Sequence, residues 1–225
     1  PGDRDRPRQA FLKSPRTVVG PGDSIVVDDD LGQINVECEL AVVIRRPCRH
    51  LTADQVPDAI LGFTVGNDVT AVDQIALDEK LTQAKNGDGF TPLGPWLETD
   101  LDSADVPMSV RINGRTVASA STRQLAWDIT EQLVYLTRYL PLGPGDVVLT
   151  GAPGTFHPVK PGDLVEVALG GIGSLPIRSS ADRAPVEGTT AGYLHTELSH
   201  QPSRLADRDH HSFLVRACIE LSPLV

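Results

Sequence analysis

The sequence predicts a β-rich α+β chain, and three observations predict it. The run "VECELAVVI" at 36–44 alternates as an extended strand does. One turn device recurs three times, in "GPGDSIVV", "GPGDVVLT" and "KPGDLVEVAL", with Pro and Gly at the centre of a type II turn that feeds an apolar or β-branched run. Only one stretch, Ser121 to Leu140, carries helical spacing over any length. Strands and helices therefore do not alternate as a doubly wound βαβ series requires.

In chain order, residues 1–10 ("PGDRDRPRQA") read as a polar, mobile N-terminal remnant, with order beginning at Phe11 in "FLKSPRTVVG". The sequence starts at Pro1 and its one methionine is Met108, so further residues are expected upstream. In the 36–44 strand, Val36, Cys38, Leu40, Val42 and Ile44 share one face, and Glu37, Glu39, Ala41 and Val43 share the other. The stretch "LTADQVPDAILGF" offers Thr52 and Gln55 as a capping box, and Pro57 shortens any helix there. A second capping box, Ser121 with Gln124, opens the predicted helix, with Leu125, Ile129, Leu133, Leu136 and Leu140 on one face and Pro141 as the stop. Strands "MSVRING" and "DVVLTGAP" flank it. From about Arg178 the composition turns polar without periodicity, which predicts a loosely ordered tail over 179–225. Its His195, His200, His210 and His211 read as solvated residues, since no strand pattern would fix them around a metal.

A net charge of -10 argues against nucleic acid or an anionic membrane as partner and tolerates bound cations easily. Cys38, Cys48 and Cys218 have neither metal-knuckle spacing nor an even count. With no apolar run long enough to span a bilayer, the expectation is a soluble, cytoplasmic protein.

Glu37 and Glu39 lie about 7 Å apart along the strand. At that separation two carboxylates repel by about 2 kcal/mol at an effective dielectric near 20, so a cation, a shared proton or open water must relieve them. Asp68, after the apolar run in "LGFTVGNDVTAVDQ", is the natural third carboxylate, and Gly66 before it allows close backbone approach. Three oxygen ligands without His or Cys suit Mg²⁺ or Mn²⁺. Lys85 and Asp88 in the Gly-rich "AKNGDGFTPLGPW", and Thr150 with the Gly151 amide in "LTGAPGTF", offer anion-binding chemistry, or else a surface lysine and a plain turn.

The blocks "VECELAVVI", "GFTVGNDVTAVD", "AKNGDGFTPLGPW", "VRINGRTVASASTRQLAW", "LGPGDVVLTGAP" and "VKPGDLVEVALGGIGSL" together resemble, in order, those of the fumarylacetoacetate hydrolase family. The resemblance implies a mixed β-roll of that family's C-terminal-domain type over 11–178, with 179–225 atypical. It implies a divalent metal, usually Mg²⁺, held by Glu37, Glu39 and Asp68, with Lys85 as active-site lysine, Thr150 as the substrate-binding threonine, and a homodimer. Gly151 and Asp88 join these as candidate substrate contacts. The substrate class implied is a 2-oxo or β-diketo acid, cleaved, decarboxylated or isomerised through a metal-bound enolate, as in hydroxyheptadienedioate isomerase-like and acylpyruvase-like members. The chain departs from the family pattern at Val72 and Ile75, where Arg and Gln are usual, at Gln74, one place early, and at Ala118, often Gln. Members that hydrolyse or decarboxylate usually carry a His and a Glu upstream of the "FLK" block; within this chain Asp88 and His157 are the first alternative bases. The rival readings are a non-catalytic metal-stabilised domain and a sugar-acid dehydratase-like enzyme on the same fold.

Overall fold

The strand Ile34–Ile44 is the spine of the molecule because neither of its faces is polar enough to stay in water. Along one edge it pairs antiparallel with Val147–Leu149 and then Phe156–Val159. Along the other it pairs with Ile60–Asn67 and Thr70–Ala71. Beyond Val147–Leu149 the sheet continues through Cys218–Ser222 to Gln9–Lys13, giving seven strands among the described residues. A second, five-stranded sheet runs Ser24–Val26, Gly173–Ser180, Leu164–Leu169, Pro107–Ile112, Arg115–Ser121. The main core lies between the sheets, where Cys38, Leu40, Val42 and Ile44 meet Met108, Val110, Val165, Val167, Leu175 and Ile177. Burying side chains of this size contributes about 1.5–3 kcal/mol each, more than the spine's backbone pairing could supply alone. These observations come from a computed structural model that describes residues 8–182 together with the strands Tyr193–Leu194, Phe213–Leu214 and Cys218–Ser222. Among the described residues no helix is long and apolar enough to cross a membrane.

The three Pro-Gly turns are type II, as predicted, with Gly22, Gly145 and Gly162 at φ 93, 86 and 92°. The aspartate that follows each glycine completes the device. Asp23, Asp146 and Asp163 donate their amides to the carbonyls of Gly20, Gly143 and Lys160. Their carboxylates in turn accept from the amides of those same residues, at 2.9, 2.6 and 2.9 Å.

The helix predicted over Ser121–Leu140 is shorter, Ile129–Tyr139. Ser121 and Gln124 do form a capping box, but it closes a single 3-10 turn, Thr122–Gln124, after which Leu125 is extended at ψ 142°. The helix starts instead on a second box, in which Asp128 accepts from the Glu131 amide at 2.8 Å and Glu131 from the Asp128 amide at 3.0 Å. The Thr52–Gln55 box is present and leads through a 3-10 turn into the four-residue helix Val56–Ala59, whose first turn holds Pro57.

Order begins before Phe11: Gln9–Lys13 is a strand, and the Arg8 guanidinium stacks on Trp127 and Tyr135 at 5.1 and 5.3 Å. The expected boundary at 178/179 falls inside the strand Gly173–Ser180. The loose tail expected from there does not describe Cys218–Ser222, which is a strand of the main sheet with Ile219 buried. His195, His200, His210 and His211 lie outside the described residues.

Candidate metal centre

The alternation of the spine delivers Glu37 and Glu39 to one face, and that face is buried. Further along it Ala41 and Val43 pack with Val18, Leu93, Val147 and Leu149. Glu39 is 0% exposed, which removes open water as the relief for its charge; Glu37 stands at the rim, its side chain 13% exposed. Asp68 follows directly on Ile60–Asn67, and its amide donates to the Glu37 carbonyl at 3.0 Å, which sets it against the pair. Gly66, paired with Glu39, leaves room on the shared face for the Leu149 side chain, whose Cδ2 would lie 2.4 Å from a Cβ placed there. The outcome is three carboxylates with ligand atoms all within 4.8 Å of one another.

Two ammonium groups answer them. Lys85 pairs with Asp68 Oδ2 and stands 3.7 Å from Glu37 Oε1. Lys13 pairs with Asp68 Oδ1 and also donates to the Lys85 carbonyl at 2.8 Å. Sequence reasoning missed Lys13, although its signal was present: Phe11 and Lys13 alternate with Leu12, which is 58% exposed, so Lys13 must point inward with the phenylalanine. The Thr70 hydroxyl, also missed, donates to Glu37 Oε1 at 2.5 Å.

Glu39 is the least compensated of the three. Its Oε2 accepts from the Gly151 amide at 2.7 Å, while Oε1 is buried with no hydrogen-bond partner among the described residues. Burial, then the Asp68 and Glu37 charges, push its carboxyl well above the ordinary 4.5. Burial also raises Glu37, with the Lys85 ammonium acting against it. A buried carboxylate oxygen without a partner costs a few kcal/mol, and a hard cation among three such groups removes that cost. The residues present therefore fit Mg²⁺ or Mn²⁺.

The remaining predicted residues divide. Thr150 and Gly151 occupy the gap between Val147–Leu149 and Phe156–Val159, next to the spine. The Thr150 hydroxyl donates to the Leu40 carbonyl at 2.9 Å, and the carboxylate that the Gly151 amide holds is Glu39 itself. Gln132, from the long helix, braces this gap by donating to the Thr150 carbonyl at 3.0 Å. Asp88 is exposed and is not among the clustered carboxylates; its carbonyl accepts from the Val26 amide. His157 pairs in register with Val36, so it faces away from Glu37, whose cross-strand partner is Phe156. Of the divergent positions, Ile75 packs against Phe11, Leu81 and Ala84, and Ala118 packs against the main core.

A Mycobacterium tuberculosis protein, Rv2993c, is 39% identical over 168 residues, which are 73% of this chain and 63% of that protein. The chain thus spans under two thirds of that relative. The crystal structure of 5-carboxymethyl-2-hydroxymuconate delta-isomerase from Mycobacterium smegmatis superposes with a TM-score of 0.74 at 38% identity, covering 77% of this chain and 69% of that one. Fumarylpyruvate hydrolase from Pseudomonas aeruginosa, solved with Mn²⁺ and pyruvate, superposes with a TM-score of 0.68 at 25% identity, covering 74% of this chain and 76% of that one. The family model described as fumarylacetoacetate (FAA) hydrolase C-terminal matches residues 1–178. By sequence blocks, fold and this match, the chain belongs to the fumarylacetoacetate hydrolase family.

Proposed function

We propose that the protein is a Mg²⁺- or Mn²⁺-dependent enzyme acting on a 2-oxo or β-diketo acid through an enolate, by C–C bond hydrolysis, decarboxylation or keto–enol isomerisation. The observation that carries this reading is Oε1 of buried Glu39, without a hydrogen-bond partner among the described residues, inside a three-carboxylate cluster. Glu37, Glu39 and Asp68 would hold the divalent ion, which would supply Lewis-acid charge to polarise a substrate carbonyl. The Lys85 ammonium stands 3.7 Å from Glu37, where it neutralises negative charge that develops on the substrate. With all three carboxylates ionised against two lysines the site has a formal charge of -1, which a divalent ion would turn to +1, the sign that attracts an anionic substrate. The Phe11 ring, 4.9 Å from Lys85 Nζ, keeps that ammonium partly dry and its charge effective. Support for the substrate class comes from the M. smegmatis isomerase and the P. aeruginosa hydrolase, whose names describe chemistry on such acids.

The test is calorimetric titration with Mn²⁺, followed by a panel of oxaloacetate, acylpyruvates and hydroxymuconate-type diacids. One Mn²⁺ per chain should bind, and chelator should abolish turnover that Mg²⁺ or Mn²⁺ restores. Failure to take up Mn²⁺ at millimolar concentration sinks the metal site. Uptake with no turnover of any panel member replaces the enzyme by a metal-stabilised domain.

A further inference from the structure

The strand Gln9–Lys13 sends two side chains into the candidate site, yet among the described residues it has one sheet neighbour only, Cys218–Ser222. The ladder runs antiparallel from Gln9↔Ser222 to Lys13↔Cys218. On its other edge Cys218–Ser222 runs parallel to Val147–Leu149, and Ile219 is 2% exposed within the main core. The family match ends at residue 178. A segment outside that match therefore fills a slot between two strands inside it.

On its other side Gln9–Lys13 holds the turn that carries Lys85. Phe11 packs with Leu81 and Ala84, and its ring centroid is 4.9 Å from Lys85 Nζ. Lys13 donates to the Lys85 carbonyl at 2.8 Å. Asn86, the next residue, accepts from the Ser14 amide at 2.5 Å and donates to the Leu12 carbonyl at 3.4 Å. The helix Thr82–Lys85 is four residues long. A single turn does not persist on its own hydrogen bonds, so these neighbours set where Lys85 stands.

We infer that Cys218–Ser222 anchors the site: it fixes Gln9–Lys13, whose Phe11 and Lys13 are positioning residues for Lys85. The inference rests on the reading of Lys85 as the working cation of the proposed centre. The backbone that carries Glu37, Glu39 and Asp68 does not depend on the anchor in the same way, although Lys13 pairs with Asp68, because Ile34–Ile44 pairs directly with Ile60–Asn67 and the Asp68 amide donates to the Glu37 carbonyl. Loss of the anchor should loosen Lys85 and spare ion uptake.

The experiment compares the full chain with one ending at residue 217, measuring Mn²⁺ binding by calorimetry and acetylation of each lysine by mass spectrometry in the presence of Mn²⁺. The shortened chain should keep its Mn²⁺ affinity within about threefold while Lys13 and Lys85 acetylate at least about tenfold faster, the behaviour of a locally opened segment. Ile219→Ala in the full chain weakens the anchor without deleting it and should raise Lys85 acetylation in the same direction. Lys13→Met should also raise it, and Lys13→Arg should restore protection. Unchanged Lys85 acetylation in Ile219→Ala or Lys13→Met overturns the inference, as does joint loss of Mn²⁺ binding and lysine protection. A full-length chain that takes up no Mn²⁺ overturns the metal reading instead, and the acetylation rates still decide the anchor.

Discussion

Cys38 and Glu39 are adjacent on one strand, both fully buried, and they face opposite ways. Cys38 looks into the main core, where its thiol donates to the Ala168 carbonyl at 3.5 Å and burial pushes its pKa up to about 12. Glu39 looks toward Asp68, and burial raises its carboxyl too, but one of its oxygens remains without a partner among the described residues. A thiol behaves as a small apolar group and tolerates a dry core. A carboxylate does not, and an ionised one needs a counter-charge. Burial alone therefore does not separate a structural face from a functional one; the unmet demand of the buried group does.

The sharpest way to break this contrast is to neutralise each residue in turn. Glu39→Gln should weaken Mn²⁺ binding by about 100-fold or more, while the ion-free melting temperature stays level or rises, since a neutral amide requires no counter-charge. Cys38→Ala should do the reverse, costing about 1–3 kcal/mol through the cavity it leaves, with Mn²⁺ affinity preserved. Calorimetry and thermal melts of both variants would sink the distinction if the two responses coincided.

A smaller effect lies in pH. The Glu39 value is raised on folding above its ordinary 4.5, so the folded chain holds that proton more tightly than the unfolded chain. Its contribution to stability is then complete below about pH 4.5 and is lost as pH rises through the raised value. Melting curves of the ion-free protein should show this fall, and Glu39→Gln should flatten it. Saturating Mn²⁺ should flatten it as well. A slope that survives both treatments belongs to another group. The smallest expected change is Thr70→Val, which removes one hydroxyl from Glu37 Oε1 and should cost about 1 kcal/mol in Mn²⁺ binding.

The carboxylate face was legible because a strand's period is two: Glu37 and Glu39 had to share a side, and Ala41 and Val43 beyond them had to bury it. The helix start was not, because the Ser121–Gln124 pattern is satisfied by any single turn and sequence does not say how far the turn continues. Lys13 was half legible. Alternation with Phe11 turns it inward, but its partner, Asp68, is chosen by a chain reversal that no local pattern encodes. The Asp residues of the three Pro-Gly turns were visible as a repeat, and only the returned hydrogen bonds explain them. Cys218–Ser222 carried no readable sign of order, since what makes it a strand is a slot between partners distant in sequence.

That slot also dictates a timetable. A chain leaving the ribosome presents Gln9–Lys13 first and its ladder partner roughly 200 residues later, and closing so long a loop is slow compared with forming local hairpins. The hairpin of Pro107–Ile112 with Arg115–Ser121, and the pairing of Leu164–Leu169 with Gly173–Ser180, can assemble during synthesis. Gln9–Lys13 must wait with an open edge, the kind of edge that other nascent chains or chaperones engage. Lys13 and Phe11 reach Lys85 in their final register only after Cys218–Ser222 has been made, so the site assembles after every other strand of the two sheets has been synthesised.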